Sequence, residues 1–318
     1  MRKIFYSLVI ATSIVAAQEI DSILDEYHIK ISKWVMDKSD VIDRFLSGVH
    51  DEKSLSNTKI KVAYEVGVDD DGDFSNSFDF SLSLHLPRFK DKALLTLEKV
   101  TDNDTFIRDK EALLTKKDMD LNDNYNLAFK LSRVKTRDFS INATGGVRFG
   151  KNIIEPYIGL ILDNNFIHSK KVEFNINNTV RYYLAGEIRD VLSTQYLYNF
   201  KKNIVLGWLG TIDYSNEESE QTLTSEFIWH KRVNDYKFYR FGFIADAKLR
   251  NFKHFRKNNF EVYFKYHDKY KDKKWLFYEI TPFIDWKKED DYKTTFGMKL
   301  KVGATFGGIR DLLKRGKL

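Results

Sequence analysis

The 318 residues include no cysteine, so a disulfide framework is excluded, and only three prolines, so few elements are interrupted. The formal charge of +6 comes from lysines scattered among acidic residues. No basic arm is formed, which argues against a nucleic-acid partner.

The chain begins with the layout of a secretory signal peptide. MRKIFYSLVIATSIVAAQE starts with basic residues at Arg2 and Lys3, continues as an apolar stretch, and reaches small residues at Ala16 and Ala17. We predict that residues 1–17 form a signal peptide that is cleaved after Ala17. The alternative, a membrane-anchoring helix, needs roughly 20 apolar residues, and this run is shorter.

Residues 19–49 have helical periodicity, which predicts an amphipathic helix or a broken pair of helices with a stop at Gly48. We assign residues 18–58 to a periplasmic helical segment. A solvated apolar stripe of this size is an association liability, so we expect it to be buried. We favour packing of the stripe against the periplasmic rim of the structure formed by residues 59–306, or against a partner, over insertion into its interior as a plug. The stripe comprises Ile23, Tyr27, Ile31, Trp34, Ile42 and Phe45.

From Lys59 onward the period changes to two. About fourteen segments of roughly ten residues have the pattern of strands, and SFDFSLSLHL, residues 77–86, is among the clearest. A soluble sandwich would also alternate. Aromatic residues near strand ends, long strands and short turns favour a closed barrel in a membrane. The aromatic pairs are Tyr182 and Tyr183, Tyr196 and Tyr198, Trp208 and Tyr214, Trp275 and Phe277, and Trp286 and Tyr292.

The predicted fold class is therefore all-β. Residues 59–306 are expected to form a transmembrane antiparallel up-and-down β-barrel of about 14 strands, with 12 as the alternative, followed by a basic tail at 307–318. If the amino end is periplasmic, the periplasmic turns are short and the outer loops longer. The outer loops would include DDDGDFSN (69–76), the stretch 101–122 and KLRNFKHFRKNN (248–259).

The final predicted strand has two distinct faces. Its even-numbered residues from Tyr292 to Phe306 would face lipid, and Lys299 and Lys301 would face the interior. A lysine turned into the middle of the bilayer would cost about 2–4 kcal/mol, so the alternation sets the register.

Three segments resemble a family of uncharacterised bacterial outer-membrane barrel proteins. They are WLFYEITPFIDWKKEDDYKTTFGMKLKVGATFG (275–307), LHLPRFKDKALLTLE (84–98) and DEYHIKISKWVMDKSDVIDRFLSG (25–48), which is similar to the helix that precedes the family's barrel. The chain departs from the family in using lysine where arginine is more usual. The resemblance implies an outer-membrane barrel and no particular active site.

Catalytic and metal-binding patterns are weak. Outer-membrane phospholipases place their serine two residues after a histidine, and none of the seven histidines has that neighbour. His85 with Ser81 and Ser83 is the best local pair, and a polar interior ladder explains it more simply. The acidic segment 69–76 lacks the glycine and glutamate positions of a calcium loop and predicts a hairpin turn around Asp71 and Gly72. We predict no cofactor, no metal and no catalytic residues.

What remains is the interior of the barrel. The functional interpretation is a hydrophilic pore of mixed charge, and the alternative is that the charges pair and fill the barrel. We predict a narrow or plugged passive pore for small polar solutes in the bacterial outer membrane, in contact with its lipids. A structural or assembly role through a periplasmic protein partner of residues 19–49, and a lipid-acting enzyme, are the alternatives. The candidate lining residues are Lys61, Glu65, Asp79, His85, Lys130, Arg148, Glu173, Arg181, Glu226, Lys265, Glu279, Lys299 and Lys301, with Arg232, Lys248, Glu261 and Asp285 on the same face.

Overall fold

The computed structural model describes residues 2–47, 58–86, 93–100, 124–136, 138–149, 154–169, 171–218, 220–250, 254–270 and 273–307. The whole stretch at 101–122 and the tail beyond Gly307 therefore lie outside the described residues. Among the described residues, no helix is long and apolar enough to cross a membrane. One α-helix, one short 3-10 helix at Lys288–Asp290 and fourteen strands are formed in this part of the chain.

The helix, α1, spans Arg2–Ser47 and ends one residue before the predicted stop at Gly48. The strands follow in a continuous series. They are β1 Lys59–Asp69, β2 Phe74–Leu86, β3 Ala93–Val100, β4 Asn124–Lys135, β5 Phe139–Phe149, β6 Ile154–His168, β7 Val172–Tyr183, β8 Ile188–Lys201, β9 Ile204–Ser215, β10 Glu220–Arg232, β11 Phe238–Arg250, β12 His254–Lys269, β13 Leu276–Lys287 and β14 Thr294–Gly307.

Each strand pairs with its sequence neighbours, and β1 pairs antiparallel with β14, which closes the barrel. An antiparallel closure requires an even number of strands, and fourteen is the number that the sequence favours over twelve. Closure leaves no open edge, which is the condition for a sheet to sit in lipid. The predicted antiparallel up-and-down β-barrel of fourteen strands is confirmed as the fold.

Alternation along β14 separates the two faces of the wall. Phe296, Met298, Leu300 and Val302 are exposed on the exterior, at 53%, 50%, 41% and 47%. The intervening residues share the interior face, where Lys301 pairs in register with Glu65 of β1. The wall is therefore apolar outside and polar inside, as a strand between lipid and a hydrated interior requires.

The end of the barrel that carries Lys59 and Gly307 is called here the near end, and the opposite end the far end. Connections at the two ends are similar in length, apart from the segment between Val100 and Asn124. The prediction of consistently longer outer loops is therefore wrong. In the predicted loop 248–259, β11 continues to Arg250 and β12 begins at His254, so most of that segment is strand.

Several of the aromatic residues predicted to form an exterior belt lie inside instead. Tyr183, Trp275 and Phe277 are buried, and Tyr183 forms an interior apolar cluster with Ala128 and Tyr157. The strand pattern places Tyr183 and Phe277 on the inner face, whereas Trp275 lies in the turn before β13, where it contacts α1. Tyr182, the neighbour of Tyr183, is exposed on the outside, so counting aromatic residues without their parity overestimated the belt.

Helix α1 lies along the near end, against the ends of β14 and β2. His28 Nε2 lies 3.0 Å from the carbonyl oxygen of Thr305, and Ser32 Oγ accepts a hydrogen bond of 3.0 Å from the amide of Gly307. Ser39 Oγ lies 2.6 Å from Thr58 Oγ1. The helix thus passes from β14 to the start of β1, across the strand ends.

A second set of contacts holds α1 to the connection between β12 and β13. Trp275 Nε1 donates a 3.0 Å hydrogen bond to Asp25 Oδ1, and the Trp275 ring stacks on His28 with ring centroids 4.5 Å apart. Phe306 lies on another side of the same imidazole, at 5.3 Å. These contacts seat the helix on the rim.

The face that α1 turns to the rim is mainly polar. His28, Ser32, Ser39 and Asp43 are buried, and Val35 is the one apolar residue among the buried positions of the described helix side chains. The predicted apolar stripe is exposed except at Ile42, which is half-buried. The expectation that the stripe would be buried is therefore wrong within this chain, because the rim offers backbone amides, carbonyls and hydroxyls, which polar side chains satisfy.

Candidate functional site

The candidate site is the inner face of the barrel, where the strand register collects ionisable side chains. Parity along each strand places the predicted lining residues on this face, opposite the exposed apolar rows. The side chain of His85 lies outside the described set, so its pairing with Ser81 and Ser83 stays a prediction.

One ion-pair cluster joins the first and last strands. Lys301 Nζ lies 3.0 Å from Glu65 Oε2 and 2.9 Å from Asp79 Oδ2. On the adjacent β13, Glu279 Oε2 lies 3.4 Å from Lys265 Nζ, and Glu279 Oε1 lies 3.0 Å from His267 Nδ1. These side chains are mostly shielded from solvent, so their mutual attraction is stronger than that of a surface pair.

A second cluster lies on β5 to β9. Arg148 contacts both Glu155 and Glu187, and its guanidinium carbon lies 4.0 Å from the centre of the Tyr183 ring. Ser215 donates a 3.0 Å hydrogen bond to Glu187. The arginine therefore has two carboxylates in its plane and an aromatic face below it, an arrangement that fixes a planar guanidinium on the wall.

Neighbouring inner rows are paired in the same manner. Arg189 Nε donates to Asp213 Oδ1 at 2.9 Å. Asp163 accepts hydrogen bonds from Ser140 at 3.0 Å and from Asn142 at 3.2 Å, and also from Asn177. Charges of both signs thus face one another along the wall.

Three aromatic side chains lie flat against the inner wall over glycines: Tyr263 over Gly242, Phe277 over Gly303 and Phe283 over Gly297. A Cβ on Gly242 would come within 2.3 Å of the Tyr263 ring, and one on Gly303 within 2.3 Å of the Phe277 ring. Tyr263 donates its hydroxyl proton to Glu226, and the Phe277 ring carries Lys61 Nζ at 5.1 Å. The rings therefore occupy little of the interior.

Sequence reasoning missed several of these partners. Glu155 was not proposed, although it lies at the start of β6, which begins at Ile154. Arg189, Asp213 and His267 were also not proposed. Each has the alternation of its own strand, so the signal was present, but only the register shows which opposite charge it meets.

The residues described do not assemble a catalytic or metal site of the kinds considered. The imidazole of His267 faces Glu279 and the Lys265 ammonium, and no serine is in that contact set among the described hydrogen bonds. Among the described residues, no group of three or more histidine, aspartate or glutamate side chains is placed to hold a metal ion.

The acidic segment at 69–76 forms a tight turn at the far end. Gly72 has a φ of 84°, which glycine adopts readily. Asp69 Oδ1 accepts the amide of Asp73 at 2.9 Å, and Asp70 Oδ1 accepts the amide of Phe296 at 2.9 Å. These carboxylates cap backbone amides, as the hairpin prediction implies.

Solved outer-membrane proteins share this fold. A loop-deletion form of OmpT, an outer membrane protein of Vibrio cholerae, aligns with a TM-score of 0.50 and 8% identity over 79% of this chain and 99% of that chain. The outer membrane channel DcaP of Acinetobacter baumannii aligns with a TM-score of 0.47 and 6% identity over 79% and 97%. The low-pH structure of Pseudomonas putida OprB aligns with a TM-score of 0.48 and 11% identity over 79% and 92%.

No family model and no curated protein sequence matches the chain. The OmpT comparison, at 8% identity, defines the fold alone. Its fold is the one shared by the class of outer-membrane β-barrels. Within that class it is a fourteen-stranded closed barrel, counted over the described residues, with a helix across its near end.

Proposed function

We propose that the protein is a narrow passive pore for small polar solutes in the bacterial outer membrane. The observation that carries the proposal is the paired charge of the inner wall, with Lys301 between Glu65 and Asp79, and Arg148 between Glu155 and Glu187. Pairing holds the side chains to the wall and cancels their charge. A hydrated passage between such walls would discriminate weakly between ions.

Strand number and burial support a narrow passage. The diameter of a barrel grows with its strand number, so that about 8 strands enclose an interior filled by side chains and about 16–18 enclose an aqueous channel. The fourteen strands of this barrel lie between those sizes. Inner residues such as Arg181, Arg240 and Glu226 are buried by their neighbours. The flat position of Tyr263 over Gly242 works in the opposite direction, since it keeps a large ring off the axis.

Planar-bilayer recording of the refolded protein tests the proposal. We expect small stepwise conductance with a reversal potential near zero in a salt gradient, because the paired charges leave little net field. An electrically silent bilayer containing heat-modifiable, folded protein would refute the pore.

Gly242→Ala gives the recording a structural control. The new methyl group must push the Tyr263 ring off the wall, so the conductance should fall. Gly145→Ala is the matched variant, because a Cβ at Gly145 meets only the carbonyl oxygen of Tyr157 at 3.8 Å, an ordinary contact. Equal conductance of the two variants would place the current outside this barrel.

A further inference from the structure

The described side chains of α1 form three separate faces. The rim face contains His28, Ser32, Val35, Ser39 and Asp43, which are buried. The exposed apolar stripe contains Ile23, Tyr27, Ile31, Trp34, Val41 and Phe45, with the exposed Lys38 among them, and the exposed charged stripe contains Glu26, Lys30, Lys33 and Asp37. At 3.6 residues per turn, the apolar and charged stripes lie about 140° from the rim face, on opposite sides of it.

Contacts at the end of β14 place α1 beside the exterior wall. Phe306 belongs to the same row as Val302 and Ala304, which faces outward. Along that row exposure falls from 47% at Val302 to 9% at Ala304, and His28 of α1 stacks on Phe306. The helix therefore adjoins the place where the lipid-facing row ends.

The register of the barrel shows which way the strands are ordered. Paired residues lead from Lys59 at the near end of β1 through Ser83, Thr96, Ala128, Gly146 and Tyr157 to Tyr183 at the far end of β7. A line perpendicular to the strands thus climbs from the near end to the far end in the direction β1 to β2. Because the right-handed twist of strands makes them coil right-handedly about a barrel axis, the strands run from right to left for an observer outside.

That order fixes the direction of the two exposed stripes. α1 runs from Thr305 and Gly307 on β14 toward Thr58 before β1, and so also from right to left. In a right-handed helix crossing the strand ends in this direction, the apolar stripe points away from the barrel axis. The charged stripe points away from the membrane, toward water.

We propose that the apolar stripe of α1 docks in the phospholipid surface of the periplasmic leaflet, as an in-plane anchor of the barrel. The stripe continues the exterior apolar surface of β14, whose exposed row ends where α1 crosses. Tyr27 and Trp34 have amphipathic rings suited to headgroup depth. The charged stripe supplies the hydrated side that an interfacial helix requires.

This inference is independent of conductance, because it concerns the outer surface at the near end. In this proposal, membrane lipid covers the exposed apolar stripe, and no second protein is needed. A protein partner, a second copy of the chain or insertion into the barrel would each shield the stripe by protein instead, and the experiment separates these from lipid.

The absence of cysteine from the 318 residues allows single labelling sites. Trp34→Cys and Phe45→Cys place a fluorophore on the apolar stripe, and Lys30→Cys and Lys33→Cys place it on the charged stripe as matched controls. Each variant is made as the full chain and refolded into vesicles of phosphatidylethanolamine and phosphatidylglycerol. A shift in gel mobility on heating then verifies that the barrel is folded. Quenching is then measured with brominated acyl chains and with aqueous iodide.

We expect brominated lipid to quench positions 34 and 45 several-fold more than positions 30 and 33, and iodide to show the reverse order. Equal quenching by iodide at all four positions would overturn the proposal, since the stripe would be in water. Protection of position 34 from both quenchers would also overturn it, because protein would then cover the stripe. If position 34 is protected from both quenchers, the measurement is repeated at one barrel per vesicle. Protection that persists there would come from insertion of the helix into its own barrel, and protection that disappears would come from a second copy of the chain.

Discussion

The barrel wall and helix α1 both cover their polar side chains and turn their apolar side chains outward. In β14 the polar residues face the interior and the apolar residues face outward. In α1 the polar residues are buried against the rim, and the apolar residues are again outward. Periodicity therefore identifies which side chains share a face, and the surroundings decide what that face meets.

The difference between the two regions lies in what covers the buried face. The inner face of the wall meets opposite charges on neighbouring strands, as Lys301 meets Glu65. The rim face of α1 meets strand ends, whose backbone groups need hydrogen-bond partners, as Gly307 finds in Ser32. Both buried faces are polar because each has specific polar groups to satisfy.

The largest test of this comparison is a charge placed on the exterior of the wall. Leu300→Lys turns an ammonium into lipid near the middle of β14 and should lower the free energy of unfolding by about 2–4 kcal/mol. The measurement is urea-dependent folding into lipid vesicles, followed by heat modifiability.

Lys299→Leu is the control for that change on the adjacent, inner position. The Lys299 ammonium lies 5.2 Å from the centre of the Phe283 ring, so its loss should cost about 0.5–1 kcal/mol. Lys301 also faces the interior, but Lys301→Leu is a poorer control, because Lys301 forms ion pairs with two carboxylates. Equal losses at positions 299 and 300 would mean that the two faces are not as assigned.

Removing the central cation of an inner cluster is expected to have the next largest effect. Lys301→Met leaves Glu65 and Asp79 without their shared ammonium and should cost about 1.5–3 kcal/mol in the same folding assay. If the pore proposal holds, the conductance should also become more cation-selective, because a positive charge is removed from beside two carboxylates.

Neutral partners give that experiment its control. Adding Glu65→Gln and Asp79→Asn to Lys301→Met removes the stranded charges and should recover much of the lost folding free energy. No recovery would show that Lys301 acts by filling space, and the inner wall would then resemble a packed core more than a set of ion pairs.

The sequence was sufficient for the wall and insufficient for its contacts. Alternation from Tyr292 to Phe306 predicted the faces of β14, since period two leaves one choice once lipid is on one side. It could not show that Glu279 meets Lys265 and His267, because the stagger between β12 and β13 is not encoded in either strand alone.

For α1, the sequence predicted a helix and misassigned its buried face. Ile23 and Trp34 have the spacing of a core stripe, and the usual rule buries such a stripe. The rim instead selects Ser32 and Ser39, whose hydroxyls reach a strand amide and a threonine hydroxyl. Serine and histidine at helical spacing gave the signal, but its meaning depended on knowing that strand ends lay opposite.

A smaller test addresses that polar rim face directly. Ser32→Ala removes the acceptor for the Gly307 amide in a buried site, and should cost about 1 kcal/mol of local stability. Hydrogen exchange at Gly307 should quicken, while the folding of the barrel changes little. Lys33→Ala is the matched control on the exposed side, and similar exchange in both variants would argue against the hydrogen bond as the seat of α1.

The smallest expected effect concerns the far end, where the first and last hairpins are joined outside the membrane. Lys293 pairs with Asp71, and the hydrogen bond and charge of Asp71 raise the pKa of Lys293 above its ordinary value of 10.5. Because the folded pKa is the higher one, this stabilisation is present below pH 10.5 and is lost as pH rises through the folded pKa. The difference in folding free energy between the native chain and Lys293→Gln should therefore be constant up to pH 10.5 and vanish above the folded pKa. Added salt should reduce this difference, because both charged groups are exposed. Lys288→Gln removes a lysine from the same connection as a control, and a pH dependence that it matched would assign the effect to overall charge rather than to the pair.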